Sequence, residues 1–197
     1  MAKKELIVNV QPLRTKEEIA EMLFAVKRGN KGNPKRKALA ERDVMLFLFG
    51  INTGLRVGDL VKLKVGDVKG KDKFIIYEGK TNKRRVVNIK MLREELDEFT
   101  KDKKDHEYLF KSQKGENRPL STTQVYRILQ DAGKLLGRDD IGTHTMRKTF
   151  GYHHYKKYKD VAVLQDILNH SSPSITMNYI GIRQEEIDET LDDFRLG

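Results

Sequence analysis

Residues 168–181, LNHSSPSITMNYIG, hold three serines, a threonine, a tyrosine and His170. Any of these hydroxyls is a candidate nucleophile, which makes the neighbouring cations informative. His144 and Arg147 stand three apart in THTMRKTF. With Thr143 as N-cap they share one helical face near the helix's positive end, where both could meet one phosphate. Arg56 follows Gly54 in NTGLRVGDL, with Asp59 three residues on. That carboxylate can orient the guanidinium while its other donors stay free for a phosphate. Lys80 stands in KTNK between two β-rich runs. Taken singly, each has an ordinary reading: a surface His beside an Arg, a surface salt bridge, a basic turn and a half-buried core tyrosine.

The elements that would have to position these groups can be read from pattern. TKEEIAEMLFAVKRG predicts a helix opened by a Thr15/Glu18 capping box, with Ile19, Leu23 and Phe24 as its apolar face. GNKGNPKRK predicts a loop. ALAERDVMLFLFGINTG predicts a buried helix stopped by a left-handed Gly54, followed by a short helix in LRVGDLVKLKVGDV. FIIYEG and RRVVNI around KTNK predict a β-hairpin with Lys80 and Lys83 at its tip. Helices are expected at 90–103 and at 121–136, where Ser121 and Gln124 make a second capping box, and then through 143–158, DVAVLQDILNH, PSITMNYI and the tail. The expected class is mainly α with one small antiparallel sheet, in one domain.

Composition bounds the partners. Thirty-nine Lys and Arg against 29 Asp and Glu give +10, which favours a polyanion such as nucleic acid. Residues 183–197 hold six acidic and two basic side chains, leaving +14 on residues 1–182. The tail should therefore avoid a DNA-facing surface. Within it Ile187, Leu191 and Phe194 fall on one helical stripe, with acid opposite. The absence of cysteine removes disulfides, Cys-based zinc sites and thiol nucleophiles. No apolar run approaches the ~20 residues of a membrane span, and MAKKELIVNV lacks a signal-peptide pattern, so a cytoplasmic location is expected. His106, His153 and His154 lack ligand spacing, and neither metal nor cofactor is expected.

In order, Arg56, Lys80, His144, Arg147, His170 and Tyr179 resemble the signature of the tyrosine recombinases, the phage integrase family. TGLR is followed by an acid, GK stands on a hairpin 24 residues after Arg56, H-x-x-R-x-T-F opens a helix, and a His precedes a Tyr by nine residues. The resemblance covers roughly residues 40–182 and implies that family's catalytic-domain fold. It implies a site-specific recombinase or integrase that cuts and rejoins double-stranded DNA through a 3′-phosphotyrosyl link. Tyr179 would be the nucleophile, with Ser171, Ser172, Ser174 and Thr176 left as cap and turn residues. Arg56 and Arg147 would clamp the phosphate, His144 would take or share the tyrosine proton, His170 would bond the phosphate, and Lys80 would protonate the departing 5′ oxygen. Asp59 would support Arg56. Tyr126, Tyr152, Tyr155 and Tyr158 are rival nucleophiles, but the spacing of Tyr152 and Tyr155 suits packing.

The resemblance further implies assembly of two to four protomers on DNA, with the tail docked on a neighbour, room for an accessory DNA-bending protein, and a bacterial or phage-derived enzyme at the nucleoid. Two positions depart from the family pattern: Asn169 replaces the Gly of an L-G-H motif, and Lys148 stands where His or Arg is common. The N-terminal helical DNA-binding domain that many members carry does not fit in the ~40 residues before the match. The chain is therefore expected to be a catalytic domain alone, either excised or a short form similar to fimbrial DNA invertases or Xer-type recombinases. Competing readings are a non-catalytic DNA-binding regulator of the same fold and a type IB topoisomerase-like relaxing enzyme.

Overall fold

The computed structural model describes residues 10–29, 36–192, 194 and 195. Helix α1 (Lys16–Arg28) opens on the reciprocal Thr15/Glu18 capping box. Its buried face is Met22, Ala25 and Val26, with Ile19 and Leu23 only partly covered and Phe24 exposed. The face is rotated from the expected one because α1 lies in a corner between two helices rather than on one. Those two are α2 (Arg36–Thr53) and α6 (Thr122–Leu135). Most of the loop expected before α2 falls outside the described residues.

Helix α2 is buried through Met45, Leu46, Phe47 and Phe49 and ends at Gly54, whose φ of +61° is open to glycine. A Cβ there would also collide with the Phe150 ring, so the position is held by space as well as by backbone. The next segment is two single turns, α3 (Val57–Leu60) and α4 (Val65–Val68), instead of one short helix. An isolated antiparallel bridge between Lys64 and Tyr108 pulls the chain extended between them. Strands β1 (Lys73–Tyr77) and β2 (Arg84–Asn88) pair antiparallel, with Phe74 opposite Val87 facing the core. A 3₁₀ turn (Lys90–Leu92), α5 (Arg93–Thr100) and α6 follow, α6 opening on the Ser121/Gln124 capping box.

Helices α7 (Thr145–Tyr158), α8 (Val161–Leu168), α9 (Pro173–Ile180) and α10 (Ile182–Leu191) come next. The main core joins α1–α7 and the hairpin, while Tyr152, Leu164, Leu168, Ile180 and Ile182 form a separate small cluster under α7–α10. Helix α9 has eight residues, too few to be stable alone, so this cluster is what holds Tyr179 in place. No helix among the described residues is long and apolar enough to cross a membrane. The result is the expected mainly helical fold with one two-stranded antiparallel sheet.

Candidate active site

Arg56, Lys80, His144 and Arg147 line one cleft, together with Val57, Gly58, Thr122 and Thr143. They arrive from four places: the N-cap of α3, the hairpin turn, the N-cap of α7 and its first turn. Tyr179 lies beside the cleft, its hydroxyl 3.0 Å from His144 Nδ1. The His170 ring lies edge-on to the Tyr179 ring with centroids 5.0 Å apart. All six positions singled out by spacing thus converge.

The N-cap of α7 is His144, not Thr143, and it makes no side-chain cap bond. Thr145, the first residue of the helix, bonds backwards instead: its Oγ1 accepts from the Gly142 N–H at 3.0 Å and ties the lead-in to the first turn. This leaves the His144 ring free to meet Tyr179. Arg147 is 3% exposed and is aimed by backbone, donating to the Gly54 carbonyl at 2.5 Å and the Leu168 carbonyl at 2.6 Å. The ends of α2 and α8 therefore fix its guanidinium, and left-handed Gly54 and Asn169 are the conformations that turn those ends toward it.

Burial, opposed by the charges of Arg147 and Arg56, pushes the Tyr179 hydroxyl up to about 12. At neutral pH only about 10⁻⁵ of it is phenolate, so the proton must leave during attack rather than before it. Partial burial, then Arg147, Lys148, Arg56 and Lys80, lowers the His144 pKa, leaving a neutral ring that can accept from the phenol. Burial, then Arg147 and Arg56, pushes His170 down to about 4. A phosphodiester entering the cleft opposes every one of these causes except burial, so both imidazoles become more basic when substrate is present.

The depressed His170 value has a consequence without DNA. The unfolded chain binds a proton near pH 6.5 and the folded chain near 4, so this contribution is present above 6.5 and lost as pH falls toward 4. Thermal melts from pH 7 to 4 should therefore show a shallower loss of Tm for His170→Gln than for the parent, by several degrees at the acid end. Equal slopes would contradict a half-buried His170 held neutral by its surroundings.

Two of the three serines and the threonine around Tyr179 have structural work. Ser172 caps α9 by accepting from the Ile175 N–H, Ser174 accepts from Arg183, and buried Thr176 meets His170 Nδ1 at 3.1 Å. Among the rival tyrosines, Tyr152 donates to Glu185 and Tyr155 to Glu186, away from the cleft. Lys148 donates to the Val10 carbonyl at 2.7 Å and lies over the Tyr179 ring at 5.4 Å, so it ties the lead-in segment to the tyrosine.

Asp59 does not hold Arg56. Its Oδ1 accepts from the Gly79 N–H at 2.9 Å and anchors the hairpin turn beside Lys80. Arg56 is the N-cap of the one-turn α3 with extended backbone, so its side chain leaves the helix face that Asp59 occupies. The carboxylate at Arg56 is Glu78, which accepts from Nη1 at 2.6 Å. Pattern reading missed Glu78 and also Arg85, which donates to the Thr53 carbonyl at 2.6 Å. The only signal for Arg85 was its position two before inward-facing Val87, where a strand should place an apolar residue.

A profile of the phage integrase family matches residues 14–186. The chain is 49% identical over 177 residues to "Probable integrase/recombinase YoeC" of Bacillus subtilis (strain 168), covering 89% of this chain and 92% of that protein. It is 32% identical over 163 residues to "Tyrosine recombinase XerA" of Pyrococcus horikoshii, covering 80% of this chain but 56% of that one. The fold matches the XerH site-specific recombinase bound to palindromic difH substrate with a TM-score of 0.68 at 21% identity, over 95% of this chain and 54% of XerH. It also matches a lambda integrase dimer bound to a COC′ core site, with a TM-score of 0.64 at 20% identity, over 100% and 54%. The chain thus spans nearly all of the Bacillus relative but about half of the XerA, XerH and lambda proteins. A profile match over most of its length, a near-half-identical integrase relative and a recombinase fold around the six converging residues agree: the chain belongs to the phage integrase family, the tyrosine recombinases.

Proposed function

We propose that the chain catalyses site-specific cutting and rejoining of double-stranded DNA through a covalent 3′-phosphotyrosine. The observation that carries this is the Tyr179 hydroxyl bonded to a neutral imidazole at the edge of a cleft lined by Arg56, Arg147 and Lys80. Tyr179 Oη would attack the scissile phosphorus as its proton passes to His144. The guanidiniums of Arg56 and Arg147 would hold the non-bridging oxygens as charge builds there. The bond from phosphorus to the 5′ oxygen breaks, and Lys80 supplies the proton that makes a free 5′ hydroxyl. A 5′ hydroxyl from a partner strand then reverses the steps, the phosphotyrosine having kept the bond energy without ATP. A regulator that had lost catalysis would not need these groups brought together around a tyrosine.

A randomised substrate tests this without a defined target sequence. The protein is incubated with a library of nicked duplexes randomised over roughly three helical turns, in which a short fragment diffuses away after cleavage and traps the adduct. Adducts that survive denaturation are recovered and sequenced. A consensus with two inverted half-sites supports a recombinase, adducts without sequence preference support a relaxing enzyme, and no adduct removes the catalytic reading.

The tail reads the same way. The acidic side of α10 is occupied within its own domain: Glu185 meets Tyr152 at 3.1 Å and Lys156 at 2.6 Å. Acidity therefore serves this domain first, whereas Ile187, Leu191 and Phe194 stay 43, 58 and 64% exposed. This uncovered stripe would dock on a neighbouring protomer when two or more assemble on DNA. The pair Ile187→Glu and Leu191→Glu should leave binding to a single half-site within about two-fold but lower cooperative binding to two half-sites roughly tenfold, the effect of ~1.4 kcal/mol. Gel-shift titration measures both, and unchanged cooperativity would show that the stripe does not join protomers.

A further inference from the structure

The carboxylate of Glu78 is fully buried, next to the guanidiniums of Arg56 and Arg85. A buried carboxylate is costly unless paired, and this one collects partners from three separate pieces of the site. Its Oε2 accepts from Arg56 at 2.6 Å, from the Asn169 amide at 2.8 Å and from the Thr81 hydroxyl at 3.1 Å. Its backbone carbonyl accepts from the Asn82 N–H at 2.7 Å, closing the turn that carries Lys80. The Arg85 guanidinium lies 3.7 Å from Oε1. Burial pushes the Glu78 pKa up, but the bonds from Arg56 and Asn169, the Arg56 charge and Thr81 outweigh it and leave the group below the usual carboxylate value. The residue is ionised.

Asn169 gives the arrangement its reach. It ends α8 in a left-handed conformation with φ of +50°, which Gly would adopt with less strain. Asn tolerates the same backbone and adds an amide, and that amide bonds Glu78, 91 positions away in sequence. The next residue is His170.

We propose that Glu78 is a positioning residue that fixes Arg56, the Lys80 turn and, through Asn169, the His170 turn in one geometry before DNA binds. The proposal rests on reading Arg56 as a phosphate clamp. With Glu78 neutralised, Arg56 keeps at most an uncharged acceptor while Arg85 and Arg147 still repel it, so the guanidinium is held less firmly where phosphate charge develops. Misplacement of this kind slows chemistry without weakening grip on the duplex, which depends on many other phosphate contacts.

The test uses a duplex recovered in the library capture and reads two quantities, single-turnover adduct rate and Kd. Glu78→Gln should slow adduct formation roughly 10²-fold while Kd stays within about three-fold. A second duplex carries a methylphosphonate at the scissile position, whose missing negative charge makes the clamp dispensable. On that duplex the Glu78→Gln defect should shrink at least about ten-fold, because the clamp is no longer needed while the Lys80 turn still is, and a general folding defect would not shrink. Asn169→Gly keeps the backbone conformation and should slow the ordinary duplex by roughly ten-fold, with no further loss when combined with Glu78→Gln. Where the Gln variant is unstable, Asn169→Gly alone on the two duplexes decides the link between Asn169 and Glu78: a defect on the ordinary duplex that shrinks on the methylphosphonate supports it, and none or an equal one overturns it. Equal slowing on both duplexes, parent-like rates on the ordinary duplex, or fully additive effects of the two substitutions would overturn the proposal. Failure of the parent protein to form any adduct would instead overturn the catalytic reading on which it rests.

Discussion

Tyr179→Phe should form no denaturation-resistant DNA adduct, a loss of roughly 10⁴-fold or more as for removal of a nucleophile, while DNA affinity changes by less than about three-fold. The substitution deletes one oxygen. The ring stays edge-on to His170 and against the small cluster that holds α9, so the fold has little reason to change. What goes is the hydroxyl 3.0 Å from His144. Ser172, Ser174 and Thr176 are committed to a cap, an arginine and a histidine, and Tyr152 and Tyr155 face the tail. The library-capture assay measures the loss and a gel shift the affinity. An adduct of parent yield in the variant would move the nucleophile elsewhere.

Lys80→Ala should slow cleavage by about 10²–10⁴-fold, the range for a lost general acid. Lys80 is exposed, lines the same cleft as Arg56 and Arg147, and sits on a turn pinned at both sides, by Asp59 at Gly79 and by Glu78 at Thr81. Its ammonium can therefore reach the leaving oxygen without being one of the fixed clamps. The decisive substrate carries sulfur at the 5′ bridging position, because a thiol near pKa ~8.5 departs without a proton donor. Lys80→Ala should cleave it within about three-fold of the parent. If the sulfur substrate is slowed as much as the ordinary one, Lys80 is not the acid and Lys83, also exposed on the turn, becomes the candidate.

What the sequence made legible follows the range of the interaction. Capping boxes at Thr15 and Ser121, the left-handed stop at Gly54 and the hairpin pairing are set within a few residues, and all are found. The six clustered positions were legible because their order and spacing match a family pattern. The partner of Arg56 was not. Local spacing pointed to Asp59, but α3 is a single turn with Arg56 as its extended N-cap, and the acid that reaches Arg56 comes from the hairpin 22 residues on. The Asn169–Glu78 bond spans 91 positions and left no local trace beyond the replacement of a glycine. Likewise, Thr143 was a sound N-cap by composition, but Thr145 bonding back to Gly142 moves the helix start by one residue and frees His144.

Covalent joining of one tyrosine to DNA is the step on which everything else depends. Adduct from the capture assay can be digested with protease and nuclease and the modified peptide read by tandem mass spectrometry. The expected product is a nucleotide joined through its 3′ phosphate to Tyr179, within the peptide that runs from residue 160 to Arg183. A nucleotide on Tyr155, Tyr158 or a serine of 171–174, or a link through a 5′ phosphate, would contradict it.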